Sequence, residues 1–273
     1  IPIFDSHVHL FGRFKRRDES LIDFLDRFGI DRAMVTALNQ DASLNAILTT
    51  GKEEMQSNEF LGRFAQKEQY DHEPVKQLVI NHPDRIVGFF WFNPRIARKE
   101  DWELLEEYVT QYDFKGIKTQ PFVDLLDVPG DLHPLAEFCI KHDVPLYVHS
   151  GAGFFFQKSV RAQDYYDLAS KHPELKLIIG HAAYSMEYCI NCLRFFREMK
   201  NVYFETSCSI PYGIMTLIRA MGAERVMYGS DSPAATPPNL EIDKIMTLNL
   251  DEETQRKVFH DNFSNLIGEQ HEE

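Results

Sequence analysis

Short runs rich in β-branched and aromatic residues alternate with longer amphipathic stretches along the whole chain. Eight runs read as strands, over residues 3–8, 32–38, 86–92, 116–120, 145–150, 176–181, 202–207 and 225–229. Several of them, such as Val87-Gly88-Phe89-Phe90-Trp91-Phe92 and Leu177-Ile178-Ile179, are apolar without interruption. That pattern suits a parallel strand covered on both faces. Helical spacing of apolar residues recurs over 19–28, 41–50, 53–69, 73–81, 102–111, 132–142, 160–171, 186–199, 213–221, 240–248 and 252–262. His82-Pro83 and His172-Pro173 each fall between a helix and the next strand. A residue before proline leaves the helical region, and a histidine suits a helix C-terminus, so both are read as helix enders.

Alternating strands and helices imply a parallel sheet. Eight repeats with no break in composition predict a closed (β/α)8 TIM barrel of class α/β, one domain over residues 1–273. No glycine-rich phosphate fingerprint follows the first strand, which weighs against a dinucleotide-binding sheet. The one oversized connection, 39–84, carries its own helical pattern and is a candidate lid.

At 44% hydrophobic and 26% charged residues the composition is that of a globular protein with a large core. A net charge of −13 repels nucleic acid and anionic membranes, so neither is an expected partner. No run is long and apolar enough for a membrane span, and the first residues lack a secretory pattern, which places the chain in the cytoplasm as an expectation. Cys189 and Cys192 form a C-x-x-C, but they lie inside a predicted helix with no second pair, and the spacing fits a buried helical face.

Four of the eleven histidines, His7, His9, His149 and His181, stand at the C-terminal ends of predicted strands. The chemistry of such a barrel sits at that rim. In Asp5-Ser6-His7-Val8-His9, strand alternation puts Asp5, His7 and His9 on one face, read as the barrel interior. Two neutral imidazoles two residues apart can share a metal, with a carboxylate orienting one of them. The fifth and sixth strands end in His149 and His181, and the eighth in Gly229-Ser230-Asp231-Ser232-Pro233. Burying so many polar groups at one end of four strands without a cation would leave several of them needing partners.

The chain resembles the amidohydrolase superfamily, in particular its amidohydrolase-related branch. The resemblance spans essentially the full length. It rests on Asp-x-His-x-His, the Gly116-Ile117-Lys118 segment, the single histidines ending strands five and six, Gly-Ser-Asp-Ser-Pro, and the closing Asp261-Asn262-Phe263-Ser264-Asn265-Leu266-Ile267-Gly268. It implies that His7, His9, His149 and Asp231 bind one divalent cation, zinc or alternatively manganese. His181 would polarise the substrate or bind a second ion, and Asp231 would move the proton of an activated water. Lys118 stands where binuclear members carry a bridging carboxylated lysine; pairing with a nearby carboxylate is the favoured expectation. A histidine commonly follows two places later in this branch, and Gln120 replaces it here, which weakens a second-metal or substrate role at that position.

Candidate substrate contacts are Arg95, Gln120, Arg161, Tyr184 and Ser207, with Arg13, Arg16 and Arg17 after the first strand and Phe154-Phe155-Phe156 after His149. Glu205, two residues before Ser207, is a candidate internal barrel charge. The reading this supports is a hydrolase that turns metal-activated water on an amide, lactone or related carbonyl of a small substrate. Non-oxidative decarboxylation of an unsaturated or aromatic acid is the alternative within the same branch, and an inert metal-binding barrel the alternative outside catalysis. The resemblance also allows a homodimer.

Overall fold

The computed structural model describes residues 1–38, 68–151 and 160–269. Eight parallel strands follow one another in order around one sheet: β1 (Phe4–His9), β2 (Arg32–Thr36), β3 (Ile86–Trp91), β4 (Gly116–Thr119), β5 (Leu146–His149), β6 (Leu177–Gly180), β7 (Val202–Glu205) and β8 (Val226–Met227). Ser6 N donates to Tyr228 O and His9 N to Ser232 O, which joins β1 to the segment after β8 and closes the (β/α)8 barrel. Helices Leu21–Arg27, Glu73–Asn81, Lys99–Gln111, His133–Lys141, Ala162–Lys171, Met186–Phe196 and Pro211–Met221 link the strands, and Pro238–Met246 follows β8. His82 and His172 cap the ends of their helices as the sequence predicts. The predicted helices over 41–50 and 53–69, the body of the candidate lid and Phe154-Phe155-Phe156 lie outside the described residues.

Alternation along the strands sorts the core into two layers. Phe4, Met34, Val87, Phe89, Tyr147, Ile178 and Met227 point inward and fill the lower barrel. Val8, Ala33, Val35, Ile86, Phe90, Ile117, Leu146 and Val148 point outward against the helices. This explains the uninterrupted apolar runs, since both faces of each strand are dry. The C-terminal segment closes the bottom of the barrel. Phe263 meets Phe4 edge-on at a centroid distance of 4.8 Å, with Leu266 and Ile267 beside it. The chain reaches this point through a π-helical stretch, Lys257–Asp261, which runs into the helix Asn262–Leu266. The sequence pattern had ended that helix at 262.

Two local features depart from the sequence expectation. Helix Pro121–Asp124 follows β4 directly, started by a proline and capped by the Gln120 side chain, where a longer fourth strand was predicted. In β1, register slips by one residue between Asp5 and Val8. A bulge of this kind resets the alternation of side chains. Asp5, in register with Ala33, and Val8, in register with Val35, therefore share the outer face, while Phe4, His7 and His9 turn inward. The expectation that Asp5 shares the face of the two histidines is corrected by that extra residue. No helix among the described residues is long and apolar enough to cross a membrane.

Candidate metal centre

Most predicted strands overshoot the observed ones by one or two residues at the C-terminal end, because the rim residues leave the sheet in sharp turns. His181, Cys208 and Asp231 follow β6, β7 and β8 with φ of 55°, 54° and 54°. The left-handed region is costly for residues with a side chain, and such strain collects where surrounding structure holds a functional group in place. At two of these corners it aims an imidazole and a carboxylate into the barrel mouth.

Asp231 is the hub. One of its oxygens lies 3.0 Å from His9 Nε2 and 3.5 Å from His7 Nε2, and the other 3.8 Å from His181 Nε2. His181 Nε2 in turn lies 3.1 Å from His149 Nδ1. The ligating atoms of His7, His181 and Asp231 all fall within 4.8 Å of one another. His9 joins this group through Asp231 and His149 joins it through His181. Residues from β1, β5, β6 and β8 thus converge at one point on the rim, with His181 a full member of the tightest group rather than a bystander.

Beneath the imidazoles, a carboxylate sets their orientation. Glu205 is fully buried and accepts from Tyr147 Oη (2.7 Å), Ser207 Oγ (2.8 Å), His181 N (3.1 Å) and Ser207 N. Because the Tyr147 hydroxyl donates its hydrogen to Glu205, its oxygen accepts from His7 Nδ1 at 2.8 Å. The Ser207 carbonyl, which can only accept, lies 3.1 Å from His181 Nδ1. Both rings therefore carry hydrogen on Nδ1 and turn Nε2 toward Asp231. A hydrogen-bonded outer carboxylate that fixes a ligand tautomer is a recurrent feature of metal-binding histidines. With Nδ1 so occupied, His181 offers Nε2 to a cation or to the substrate.

Two glycines at the strand ends make room for this lower layer. A Cβ on Gly180 would come within 2.2 Å of Tyr147 Oη, and one on Gly229 within 2.2 Å of Glu205 Oε1. The glycine before His181 and the one before Ser230 are thus space requirements of the Tyr147–Glu205 pair.

Electrostatics follow from burial. Desolvation, with Lys118 next, pushes His7 well below the usual imidazole range; burial lowers His9 and His149 as well. Burial alone would raise Asp231, but His7, the His9 hydrogen bond and His181 outweigh it and hold the carboxyl below its ordinary range. Neutral imidazoles around an ionised carboxylate are the donor set of a divalent cation. His9 Nδ1 and Asp5 Oδ2 are buried with no partner. The other Asp5 oxygen accepts from His7 N and Ser230 N, and burial pushes this carboxyl up to about 8, so it stays protonated at neutral pH.

Lys118 is buried inside the barrel. Its Nζ lies 2.8 Å from His7 Nε2 and 3.8 Å from the centre of the Tyr147 ring, and burial pushes the amine down to about 8. Its contact is an imidazole, where the sequence had suggested a carboxylate; Asp231, Glu205 and Asp124 act on it only through space. The candidate substrate contacts are more scattered. Gln120 spends its side-chain oxygen capping Phe122 N and Val123 N, and Ser207 bonds the imidazoles and Glu205. Arg161 pairs with Asp164 at 2.7 Å, Arg95 bonds Leu125 O, and Tyr184 packs on Tyr188 at 5.0 Å. Cys189 and Cys192 sit on a buried helix face as free thiols.

Sequence reading passed over Tyr147 and Trp91. Tyr147 lies two residues before His149 on the same strand, and alternation alone could have placed it inside. Trp91 faces the His9 ring at 5.9 Å, and Asp124 holds its indole N–H with both oxygens at 3.1 Å.

A parallel barrel that gathers imidazoles and a carboxylate at the C-terminal rim defines a class, the metal-dependent enzymes built on this fold. Within it the chain belongs to the amidohydrolase family, whose model matches residues 4–262. Among solved structures, 2,6-dihydroxybenzoate decarboxylase from Rhizobium superposes with a TM-score of 0.66 at 16% identity, over 97% of this chain and 98% of that one. A proposed 2-pyrone-4,6-dicarboxylic acid hydrolase from Pseudomonas putida gives 0.68 at 15% identity, over 99% of each chain. The 5-carboxyvanillate decarboxylase of Novosphingobium aromaticivorans, solved with manganese, gives 0.63 at 19% identity, over 90% of this chain and 78% of that one. At such identities the likeness is one of fold. No curated protein matches the chain in sequence.

Proposed function

We propose that the chain is a hydrolase that opens an amide, lactone or related carbonyl of a small, carboxylate-bearing substrate. His7, His9, His149 and Asp231 hold one divalent cation, zinc or alternatively manganese, with His181 facing the substrate. The observation that carries this reading is the convergence of four imidazoles on Asp231 and its neighbours, with polar separations of 3.0 to 3.8 Å. A cation held there supplies Lewis acidity and lowers the pKa of a bound water towards neutrality. Asp231, ionised and central, accepts the proton of the attacking water and returns it to the leaving group. His181 Nε2 faces the substrate oxygen and orients it, while the one proton in motion passes from water through Asp231 to the leaving group. Tyr147, Ser207 and Glu205 keep both rings in the required tautomer throughout.

The test is turnover in 18O-labelled water by metal-loaded protein, across small lactones, amides and unsaturated or aromatic acids. We expect a product carboxylate that carries one labelled oxygen. Carbon dioxide release without label uptake would contradict hydrolysis and assign the site to decarboxylation.

A further inference from the structure

Among the described residues, a buried lysine beside the metal centre has contacts that leave it short of an acceptor. Lys118 is 1% exposed. Among the described residues its polar contact is His7 Nε2, and the remaining neighbours of its nitrogen are the faces of Tyr147, at 3.8 Å, and Trp91, at 5.9 Å. An ammonium carries three donors and no acceptor, so one imidazole and two ring faces leave hydrogen-bonding capacity unused in a dry place. None of the three nearby carboxylates makes an ion pair with it: Asp231 meets His9 and His7, Glu205 is taken up by Tyr147, Ser207 and His181, and Asp124 by Trp91, Thr119 and Gln120 N. The single lone pair on His7 Nε2 serves either the ammonium or a cation.

We propose that Lys118 is the binding group for an anionic oxygen of the substrate, a carboxylate, and that it turns to this task when His7 gives its Nε2 lone pair to the cation. This rests on the metal-site reading above and adds the substrate's charge. Lys118 then competes with the cation for His7 and cooperates with it in holding the substrate. In a protein of net charge −13, a bound divalent cation together with Lys118 would be the local positive charge that draws a small anion to this site.

The experiment uses manganese(II) and acetate as probes, with acetamide as the neutral twin. Manganese binding is read by the spin-resonance signal of the free ion, and probe binding by paramagnetic broadening of the methyl resonance. Lys118→Met keeps the length of the side chain without its charge; Lys118→Leu is the second variant should the first fail to fold. In the variant we expect manganese to bind as tightly as in the parent or several-fold more tightly. Acetate should weaken by roughly tenfold or more, as expected for loss of a charge-assisted hydrogen bond, and acetamide should be unchanged. Equal acetate binding in parent and variant would overturn the assignment of Lys118. So would loss of manganese from the variant, or a fall from two ions to one, which would mark the lysine as a metal bridge. A parent that binds no manganese would sink the metal-site reading itself.

Discussion

Asp231→Ala protein is expected to retain far less than the roughly one divalent cation per chain carried by the parent, with affinity lower by more than about 100-fold. The reason is geometric. His7, His9 and His181 each meet this carboxylate at 3.0 to 3.8 Å, and His149 meets His181, so Asp231 is the group that the ring nitrogens share. Its removal takes away the anionic donor of the set and the group that His9 Nε2 meets at 3.0 Å. His7→Ala should lose the cation similarly, since His7 is the other member of the tight triad with His181. The pH dependence has a definite sign. His7, His9 and His149 all have their pKa lowered by burial, His7 and His149 well below the ordinary imidazole range, so protons compete for these nitrogens only below that range. Metal should therefore stay bound as pH falls through 6.5 and be released only at more acidic pH. Elemental analysis of dialysed proteins across that range checks both claims.

Glu205→Ala carries the largest expected cost in stability, about 3–5 kcal/mol, since it leaves several buried donors unsatisfied and opens a cavity. Truncation strands the Tyr147 and Ser207 hydroxyls and two backbone N–H groups, all buried, and opens a cavity beside Gly229. Glu205→Gln keeps the volume but presents an amide N–H to a set of donors. It should fold, lose less stability than the alanine variant, and bind metal about 10- to 100-fold more weakly, because His7 and His181 are no longer held with hydrogen on Nδ1. Urea unfolding paired with metal titration separates the two effects. Equal metal affinity in Glu205→Gln and parent would show that the outer carboxylate does not set the tautomers.

Most of the barrel was legible in the sequence because each strand is buried on both faces and each helix on one, so hydrophobic period alone marked them. The rim histidines stood out for a different reason: one polar residue ending an apolar run is usually structural, but His7, His9, His149 and His181 all fall at the same end of the strands. What stayed hidden depends on local geometry. The bulge in β1 leaves no mark in a run where inward and outward residues alike are buried, so Asp5 was placed on the wrong face. Tyr147 reads as one more large residue in an apolar strand, and only its distance to His7 and Glu205 reveals its part. Ser207 was noticed, yet its bonds to two imidazoles and Glu205 make it part of their support. Arg95 and Arg161 were candidates on charge and position in the chain; the structure gives their guanidinium groups local partners. Helix Pro121–Asp124 was missed because Gln120 continues the alternation of β4 by type while its side chain turns to cap the next turn.

Diffraction from crystals grown with zinc or manganese, collected at the absorption edge of the metal, tests the central claim most directly. One anomalous peak per chain is expected at the mouth of the barrel, bonded to His7, His9, His149 and Asp231 at about 2.0–2.2 Å. A loaded crystal with no peak among these side chains, or with its only peak elsewhere on the molecule, would contradict the account.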